Sequence, residues 1–342
     1  MNCQLKNDFE DILKSFTFIE ELKNATIMVS GGTGLIGSNL LKFLVYADDR
    51  FELRLNIIGL ARNKEKVQTM GFSNKITWIF ADLKEKIHYD GNVDYIFHTA
   101  SPTQSKFLAT HPVETINDTV LGANNLLEFS LSHNCKSFVY LSSIEIYGQN
   151  FDDNKVSEND YKYIDNLLPR NCYPISKQLI ENLCISYWSE YKVPVKIARL
   201  TQTFGAGVSL DDNRVFMQMA KSIINNEDIV LHTSGGSSKS YIYLTDAINA
   251  LFYILFNGFN GEAYNVANEE SYISIKNLAN FLIKEFKTTS AVRIELNPNA
   301  GYAPETKINL DVEKIKKLGW KPHNNLKQMF EKLINYIKTT KR

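Results

Sequence analysis

Three residues near the middle of the chain have the types and spacing needed to take a proton from a hydroxyl group. Tyr173 and Lys177 form a YxxxK motif, and Ser143 ends an apolar run. Residues four apart on a helix share one face, so the lysine would lie beside the tyrosine. A free tyrosine has a pKa of about 10, and a nearby cation favours the phenolate. A decrease of the Tyr173 pKa by about three units, worth roughly 4 kcal/mol, would make Tyr173 a base at neutral pH. Ser143 would hold the substrate hydroxyl from which Tyr173 takes the proton.

A glycine-rich turn near the N-terminus is suited to binding phosphate groups. Gly31, Gly34 and Gly37 are spaced three apart, between an apolar run at 25–30 and a helical stretch at 38–46. Glycines there allow a tight turn, close approach to a pyrophosphate and packing of the helix on the strand. The helix N-terminus beside them adds free N–H groups and a positive dipole end. We therefore expect a dinucleotide to contact the turn and the two residues that follow Gly34, which are Leu35 and Ile36.

These motifs lie on an alternation of short apolar runs with helical stretches. Continuous apolar runs suit strands that are buried on both faces of a parallel sheet, and they occupy 25–30, 55–60, 76–81, 95–100, 138–143 and 195–200. Helical stretches include 38–46, 114–132 and 174–191. This repetition predicts an α/β fold with a doubly wound parallel sheet of the Rossmann type.

We expect three parts along the chain. Apolar residues recur at helical spacing from Phe9 to Leu22, which predicts an N-terminal amphipathic helix within 1–24, packed on the body. Residues 25–200 would form the dinucleotide-binding Rossmann domain. Beyond residue 200 the alternation of apolar runs with helical stretches becomes less regular. We expect loops at 205–213 and 233–240 and helices at 246–257, 274–286, 311–318 and 325–337. Residues 201–342 would be mainly a smaller C-terminal substrate-binding lobe, with segments at about 241–268 returning to the Rossmann domain.

The composition argues against several classes of partner. Lysine plus arginine equals aspartate plus glutamate, 38 against 38, so no overall field recruits nucleic acid or a membrane surface. No window approaches the roughly 18–20 apolar residues that span a bilayer, and charges within 1–23 are unlike a signal peptide. The four scattered cysteines predict reduced thiols, no metal site and a cytoplasmic protein.

The GxxGxxG spacing, followed in order by a serine-bearing strand end and YxxxK, resembles the short-chain dehydrogenase/reductase superfamily. The segment 142–148 is similar to the SSxxVYG fingerprint of its extended members, the NAD-dependent epimerases, dehydratases and decarboxylases of nucleotide sugars. The resemblance implies cofactor contacts from Tyr173, Lys177 and the ends of the third and fourth strands, which are Asp82, Leu83, Thr99, Ala100 and Ser101. A helix cap is an equal alternative for Asp82.

The choice of cofactor depends on the end of the second strand, 59–63. An acidic residue there would bind the ribose 2′-hydroxyl and select NAD, but the segment carries Arg62 instead. The segment is similar to that of GDP-mannose 4,6-dehydratases, which implies pairing of Arg62 with a 2′-phosphate. We expect tightly bound NADP or NAD, with NADP favoured; the alternative is that Arg62 is an ordinary surface residue.

Several stretches resemble the UDP-glucuronate decarboxylases, also called UDP-xylose synthases; they are 98–102, 111–115, 170–173 and 211–215. This resemblance implies oxidation of the sugar at C4, decarboxylation beside the new ketone and return of the hydride. Glu145 stands where such enzymes carry a catalytic glutamate. Ile144 stands where 4,6-dehydratases carry an aspartate and decarboxylases a serine, and isoleucine can replace neither.

The segments that would bind the substrate's diphosphate also depart from the family pattern. Gln202 replaces a phosphate-binding asparagine, and Lys239 replaces an arginine, which keeps the charge but loses the bidentate fork. Arg214 is a candidate second cation. The expected partner is a nucleotide-diphosphate sugar whose base and sugar the sequence leaves open.

Our leading interpretation is therefore decarboxylation through a 4-keto nucleotide sugar, ahead of 4-epimerisation or dehydration. A different class is a net NADPH-dependent sugar reductase, and a third is a binding protein on the same scaffold. The resemblance also implies a homodimer formed through helices 114–132 and 174–191. Leu126, Leu127 and Leu179 are candidates for its seam, although they could instead face the sheet.

Overall fold

The computed structural model describes residues 2–297 and 305–340. Its largest sheet is parallel, in the order β3-β2-β1-β4-β5-β7-β11. The strands are β1 (Thr26–Ser30), β2 (Asn56–Ala61), β3 (Ile76–Phe80), β4 (Tyr95–His98), β5 (Ser137–Ser143), β7 (Val195–Leu200) and β11 (Glu262–Val266). The strand order reverses between β1 and β4, the position at which doubly wound sheets form a ligand crevice. The expected doubly wound α/β fold is confirmed.

Helices cover both faces of this sheet. On one face lie α3 (Leu35–Phe51) and α9 (Leu244–Asn257), and on the other α6 (Pro112–Ser132) packs beside α7 (Cys172–Tyr191). Two shorter helices, α4 (Lys64–Thr69) and α5 (Ser105–Thr110), follow β2 and β4. Among the described helices, none is both long and apolar enough to cross a membrane.

The structure corrects the choice of residues for a dimer seam. Leu126 and Leu127 are fully buried in the cluster between α6, α7 and the sheet, whereas Leu179 on α7 is 50% exposed. A helix on a sheet buries one stripe of its surface, and residues 126 and 127 lie on that stripe. Of the three leucines, only Leu179 points outward.

The leader contains two helices where the sequence predicts one. These are α1 (Cys3–Ser15) and α2 (Ile19–Leu22), and the backbone is extended at Phe16 between them. Phe16 and Phe18 turn into the core here, where Phe16 packs edge-to-face on Phe43 and Phe252. Burial of these two rings outweighs continuation of the helix.

The remaining strands form smaller sheets beside the large one. The order β12-β10-β14-β6 describes one of them, with β8 also paired to β10, and β13 pairs with β9. Their bounds are β6 (Lys155–Val156), β8 (Gln202–Phe204), β9 (Ile229–Leu231), β10 (Ser238–Tyr243), β12 (Asn268–Ser274), β13 (Val292–Ile294) and β14 (Lys307–Leu310). The accompanying helices are α8 (Val215–Asn225), α10 (Ile275–Phe286), α11 (Glu313–Lys316) and α12 (Leu326–Thr340).

Two predictions of local structure in this part are wrong. The stretch 233–240, predicted as a loop, ends inside β10, where Ser238 and Ser240 are buried. Pairing with β8, β12 and β14 stabilises this serine-containing strand, and such partners are invisible to local propensity. The helix predicted at 311–318 is only the single turn α11.

Candidate active site

The glycine turn joins β1 to α3 in a conformation that requires glycine. Gly31 has a φ of +68°, and a Cβ built on it would lie 2.7 Å from the Cα of Ala100. The Gly34 N–H donates to the Gly31 carbonyl at 2.9 Å, and α3 begins at Leu35 with no side-chain cap. Free N–H groups of the first helical turn, which includes Ile36, therefore accompany the turn. A Cβ on Gly37 would collide with the Gly31 carbonyl oxygen, so this glycine permits the helix to pack on the turn.

A tryptophan that sequence reasoning did not consider supports the same turn. The Trp78 ring on β3 would lie 2.8 Å from a Cβ on Gly32 and 2.7 Å from one on Gly59. Both glycines therefore allow a flat indole to rest on the backbone of the turn and of β2. The glycine in the middle of β2 was the available signal, because such a glycine indicates a close approach of another group.

A cavity of about 430 Å³ opens beside the turn at the carboxyl ends of β1 to β4. Eight of the residues predicted to bind cofactor line it, namely Gly31, Gly34, Arg62, Asp82, Leu83, Thr99, Ala100 and Ser101. Asp82 also accepts a hydrogen bond from the backbone N–H of Lys84 at 3.0 Å, so it caps a turn while facing the cavity. The backbone at Gly31 and Gly34 reaches the cavity without side chains, which leaves room for phosphate groups to approach it.

An acidic residue that the sequence analysis did not identify also lines this cavity. Asp118 on α6 accepts a hydrogen bond from Arg62 at 3.0 Å and pairs with Lys84 at 3.0 Å. Arg62 therefore faces the cavity with a carboxylate partner already present. Asp118 lies 56 positions along the chain from Arg62, and no local pattern connects them.

The predicted catalytic residues come together where β5 ends beside the start of α7. Ser143 is the last residue of β5, and Tyr173 and Lys177 lie in the first two turns of α7. The Lys177 ammonium donates to the Leu141 carbonyl at 2.8 Å and lies 5.6 Å from the centre of the Tyr173 ring. Burial lowers the pKa of Lys177 to about 7, while Glu181 one turn later acts in the opposite direction.

The pKa of Tyr173 is shifted in the direction opposite to the one expected from the lysine. Burial raises it, Glu145 raises it further, and the Ser143 hydroxyl and Arg170 act to lower it. The lysine ammonium lies over the ring face rather than beside the hydroxyl, and it is itself held by a backbone carbonyl. Lys177 alone therefore does not make Tyr173 a base in this site.

Glu145 lies on the short 3-10 turn Ile144–Tyr147, close enough to Tyr173 to raise its pKa, and it interacts with two cations. Its carboxylate lies 3.7 Å from the Arg170 guanidinium, and its charge favours the protonated form of Lys239. Burial lowers the pKa of Lys239 in spite of Glu145. The sequence analysis did not single out Arg170, which lies within the stretch 170–173. Its position three residues before Tyr173 was the signal that could have identified it.

Ile144 turns away from this group. Its side chain is 7% exposed and belongs to the main hydrophobic core. The residue that replaces the aspartate or serine of related enzymes therefore contributes packing.

The three residues predicted to bind substrate are not equally available. Gln202 on β8 is the strand partner of Tyr241 on β10. Lys239 lies on the same strand, two residues before Tyr241. Arg214 is occupied by Asp212, which accepts from two of its nitrogens at 2.6 Å and 3.0 Å. Arg214 would therefore have to exchange this partner before it could bind a diphosphate.

Comparisons with known proteins agree with this fold. A model of the NAD dependent epimerase/dehydratase family matches residues 27–267. The chain is 27% identical over 342 residues to UDP-glucuronic acid decarboxylase 1 of Danio rerio, covering 97% of this chain and 79% of the relative.

Its fold is similar to that of UDP-glucose 4-epimerase from Thermotoga maritima, solved with UDP-glucose; the TM-score is 0.78 at 19% identity, over 93% of this chain and 100% of that one. UDP-glucuronic acid 4-epimerase from Bacillus cereus, in complex with UDP-glucuronic acid and NAD, gives a TM-score of 0.74 at 19% identity, over 92% and 99% of the two chains. The family match includes the glycine turn, Ser143 and the YxxxK motif. The chain therefore belongs to the NAD dependent epimerase/dehydratase family.

Proposed function

We propose that the protein decarboxylates a nucleotide-linked sugar acid through a 4-keto intermediate, with oxidation and reduction completed in one turnover. The observation that carries this proposal is the grouping of Ser143, Tyr173 and Lys177 with Glu145, whose carboxylate lies 3.7 Å from Arg170 and whose charge also acts on Lys239. Ser143, Tyr173 and Lys177 are suited to removing a proton from a hydroxyl group. Glu145, Arg170 and Lys239 are suited to a substrate that carries a carboxylate.

The first step assigns the proton of the C4 hydroxyl to Tyr173. Ser143 accepts or donates a hydrogen bond at the same hydroxyl and keeps it oriented toward the phenol. Tyr173 must be a phenolate for this role, and its buried position disfavours that form. A cation placed at the phenol oxygen therefore has to offset burial.

The cofactor is held, in this proposal, by the glycine turn, the first turn of α3 and the cavity at the ends of β1 to β4. Tyr173 and Lys177 contact its nicotinamide end. A bound nicotinamide dinucleotide would supply the acceptor and then the donor of the C4 hydride, and its oxidised form would add a positive charge to the site. Arg62 supports a preference for NADP over NAD, although its pairing with Asp118 reduces the charge that a 2′-phosphate would meet.

Decarboxylation is favoured by the charges around Glu145. Arg170 and Lys239 supply two cations to one carboxylate, so a second carboxylate, on the sugar, can be accommodated. Glu145 is positioned to move a proton next to the ketone, at C5. The name of the Danio rerio relative, UDP-glucuronic acid decarboxylase 1, agrees with a uronic acid substrate.

The burial of Ile144 favours 4-epimerisation as a second candidate. Ile144 offers no hydroxyl to bind a uronate carboxylate. An epimerase needs only Ser143, Tyr173 and Lys177, which would serve the C4 hydroxyl while the hydride leaves C4 and returns to its other face. Dehydration is less favoured, because isoleucine cannot protonate a leaving hydroxyl.

We also propose a homodimer in which α6 and α7 of two copies pack together. Leu179 would be at this seam with other exposed apolar residues of the two helices, among them Val113, Ile116, Leu121 and Ile185. Residues 25–200 would bind the cofactor and 201–342 mainly the substrate, with α9 and β11 lying on the main sheet. A cytoplasmic location is supported by the four unpaired cysteines.

Incubation of the purified protein with a panel of nucleotide sugars, analysed by mass spectrometry, tests the reaction. We expect loss of carbon dioxide from a UDP-linked uronic acid. Loss of water, or a product of unchanged mass with inverted C4, would replace decarboxylation by dehydration or epimerisation. Consumption of one NADPH for each sugar would indicate a net reductase. Light scattering that reports a monomer at micromolar concentration would refute the dimer.

A further inference from the structure

The cavity that would receive the adenosine half of the cofactor is lined by an ion pair. Arg62 follows the end of β2 and Asp118 lies on α6, so two separate elements supply its members. One carboxylate oxygen of Asp118 accepts from Arg62 at 3.0 Å, and the other lies 3.0 Å from the Lys84 ammonium. The Asp118 side chain is 14% exposed, while its two cationic partners are 62% and 37% exposed. The less exposed Asp118 therefore holds two more exposed cations in place.

We propose that Asp118 sets the choice between NADP and NAD by holding Arg62 and Lys84. The inference rests on the proposed cofactor site and concerns the part of it that would meet a 2′-phosphate or a 2′-hydroxyl. Arg62 can bind a 2′-phosphate only by leaving Asp118 or by sharing its guanidinium with it. The carboxylate also repels a phosphate in the same cavity. Both effects lower the affinity for NADP and leave the affinity for NAD nearly unchanged.

The charged groups at this end of the cavity support a decisive role for one acid. Arg62, Lys66, Asp82 and Asp118 line the cavity, and Lys84 lies beside the lining as a partner of both acids. Asp82 is a weaker partner, since it lies 3.6 Å from the Lys84 ammonium and its other oxygen accepts a backbone N–H. Neutralising Asp118 therefore frees two cations at once, whereas neutralising Asp82 frees neither completely.

Calorimetric titration of NAD and NADP into the full chain tests this role without measuring catalysis. For Asp118→Asn, the ratio of the NAD to the NADP dissociation constant should rise by about tenfold, the effect of one released charge-assisted hydrogen bond. Lys84→Ala should shift the ratio the other way, because Asp118 then pairs with Arg62 alone. This second variant alters an exposed side chain and keeps the test independent of whether Asp118→Asn folds.

Glu114→Gln is the matched control, since it removes one negative charge from an exposed position one turn earlier on α6 and outside the cavity lining. It should leave the ratio as in the wild type. In the background Arg62→Ala, Asp118→Asn should raise the ratio less than it does in the wild type, because only the release of Lys84 and the loss of the carboxylate's repulsion remain. If both nucleotides bind and the ratio is the same in wild type, Asp118→Asn and Lys84→Ala, the role of Asp118 is refuted while the proposed function stands. If neither nucleotide binds wild-type protein from which any copurified cofactor has been removed, the cofactor site itself is refuted, and both proposals fail.

Discussion

Replacing Lys177 by methionine should stabilise the protein while it abolishes turnover. Lys177 is 2% exposed, and burial lowers its pKa from 10.5 to about 7. The folded chain therefore binds the lysine proton more weakly than the unfolded chain, so protonation favours unfolding as the pH falls below about 10.5. This difference of about 3.5 between the pKa values of the unfolded and folded chain destabilises the folded state by about 4 kcal/mol at pH 7. Methionine keeps the length without the charge but loses the hydrogen bond to the Leu141 carbonyl, about 1 kcal/mol, which leaves a gain of about 3 kcal/mol.

Urea unfolding of both proteins at intervals between about pH 6 and about pH 10 measures this gain. The stability difference should be largest below about pH 7, where the lysine is charged in both states, and should shrink as the pH rises toward 10.5, above which the lysine is neutral in both states. The exposed Lys284 on α10 supplies the control, Lys284→Met, whose stability curve should run parallel to that of the wild type. A difference between Lys177→Met and wild type that does not vary with pH would refute the reasoning. So would a variant that is less stable than wild type at pH 7.

Three further variants test other parts of the site. Tyr173→Phe should lower turnover by about a hundredfold to ten-thousandfold, the usual contribution of general acid–base catalysis, and calorimetry should show nearly unchanged binding of substrate and cofactor. Glu145→Gln should still oxidise C4 but handle the proton beside the ketone poorly, so mass spectrometry should detect an accumulating 4-keto sugar; a wild-type rate would make 4-epimerisation the better proposal. Gly34→Val should abolish cofactor binding in a folded protein, because a branched side chain would occupy the space the pyrophosphate needs; unchanged cofactor content would contradict the assignment of the turn.

Much of the site could be predicted from the sequence because its determinants are local. The positive φ at Gly31 follows from the residue type and its place between a strand and a helix. The common face of Tyr173 and Lys177 follows from the helical repeat, and continuous apolar runs suit a buried parallel sheet. Strand order follows less directly, but strand–helix alternation leaves few topologies other than the doubly wound one.

Tertiary structure decided how charge and burial are distributed within that frame. Asp118 meets Arg62, and Lys239 comes under the influence of Glu145, only because distant elements pack together. Ile144 and Leu126 face the core rather than a ligand or a second copy, since each helix or turn can bury only one side.

The pKa of Tyr173 is the clearest case. Its neighbour in the YxxxK motif favours a lowered value, yet burial and Glu145 raise it. Desolvation depends on every element packed around a group, and spacing along the chain records only the neighbours on the same helix. The sequence by itself thus determined which groups could do the chemistry, and packing determined their protonation and their partners.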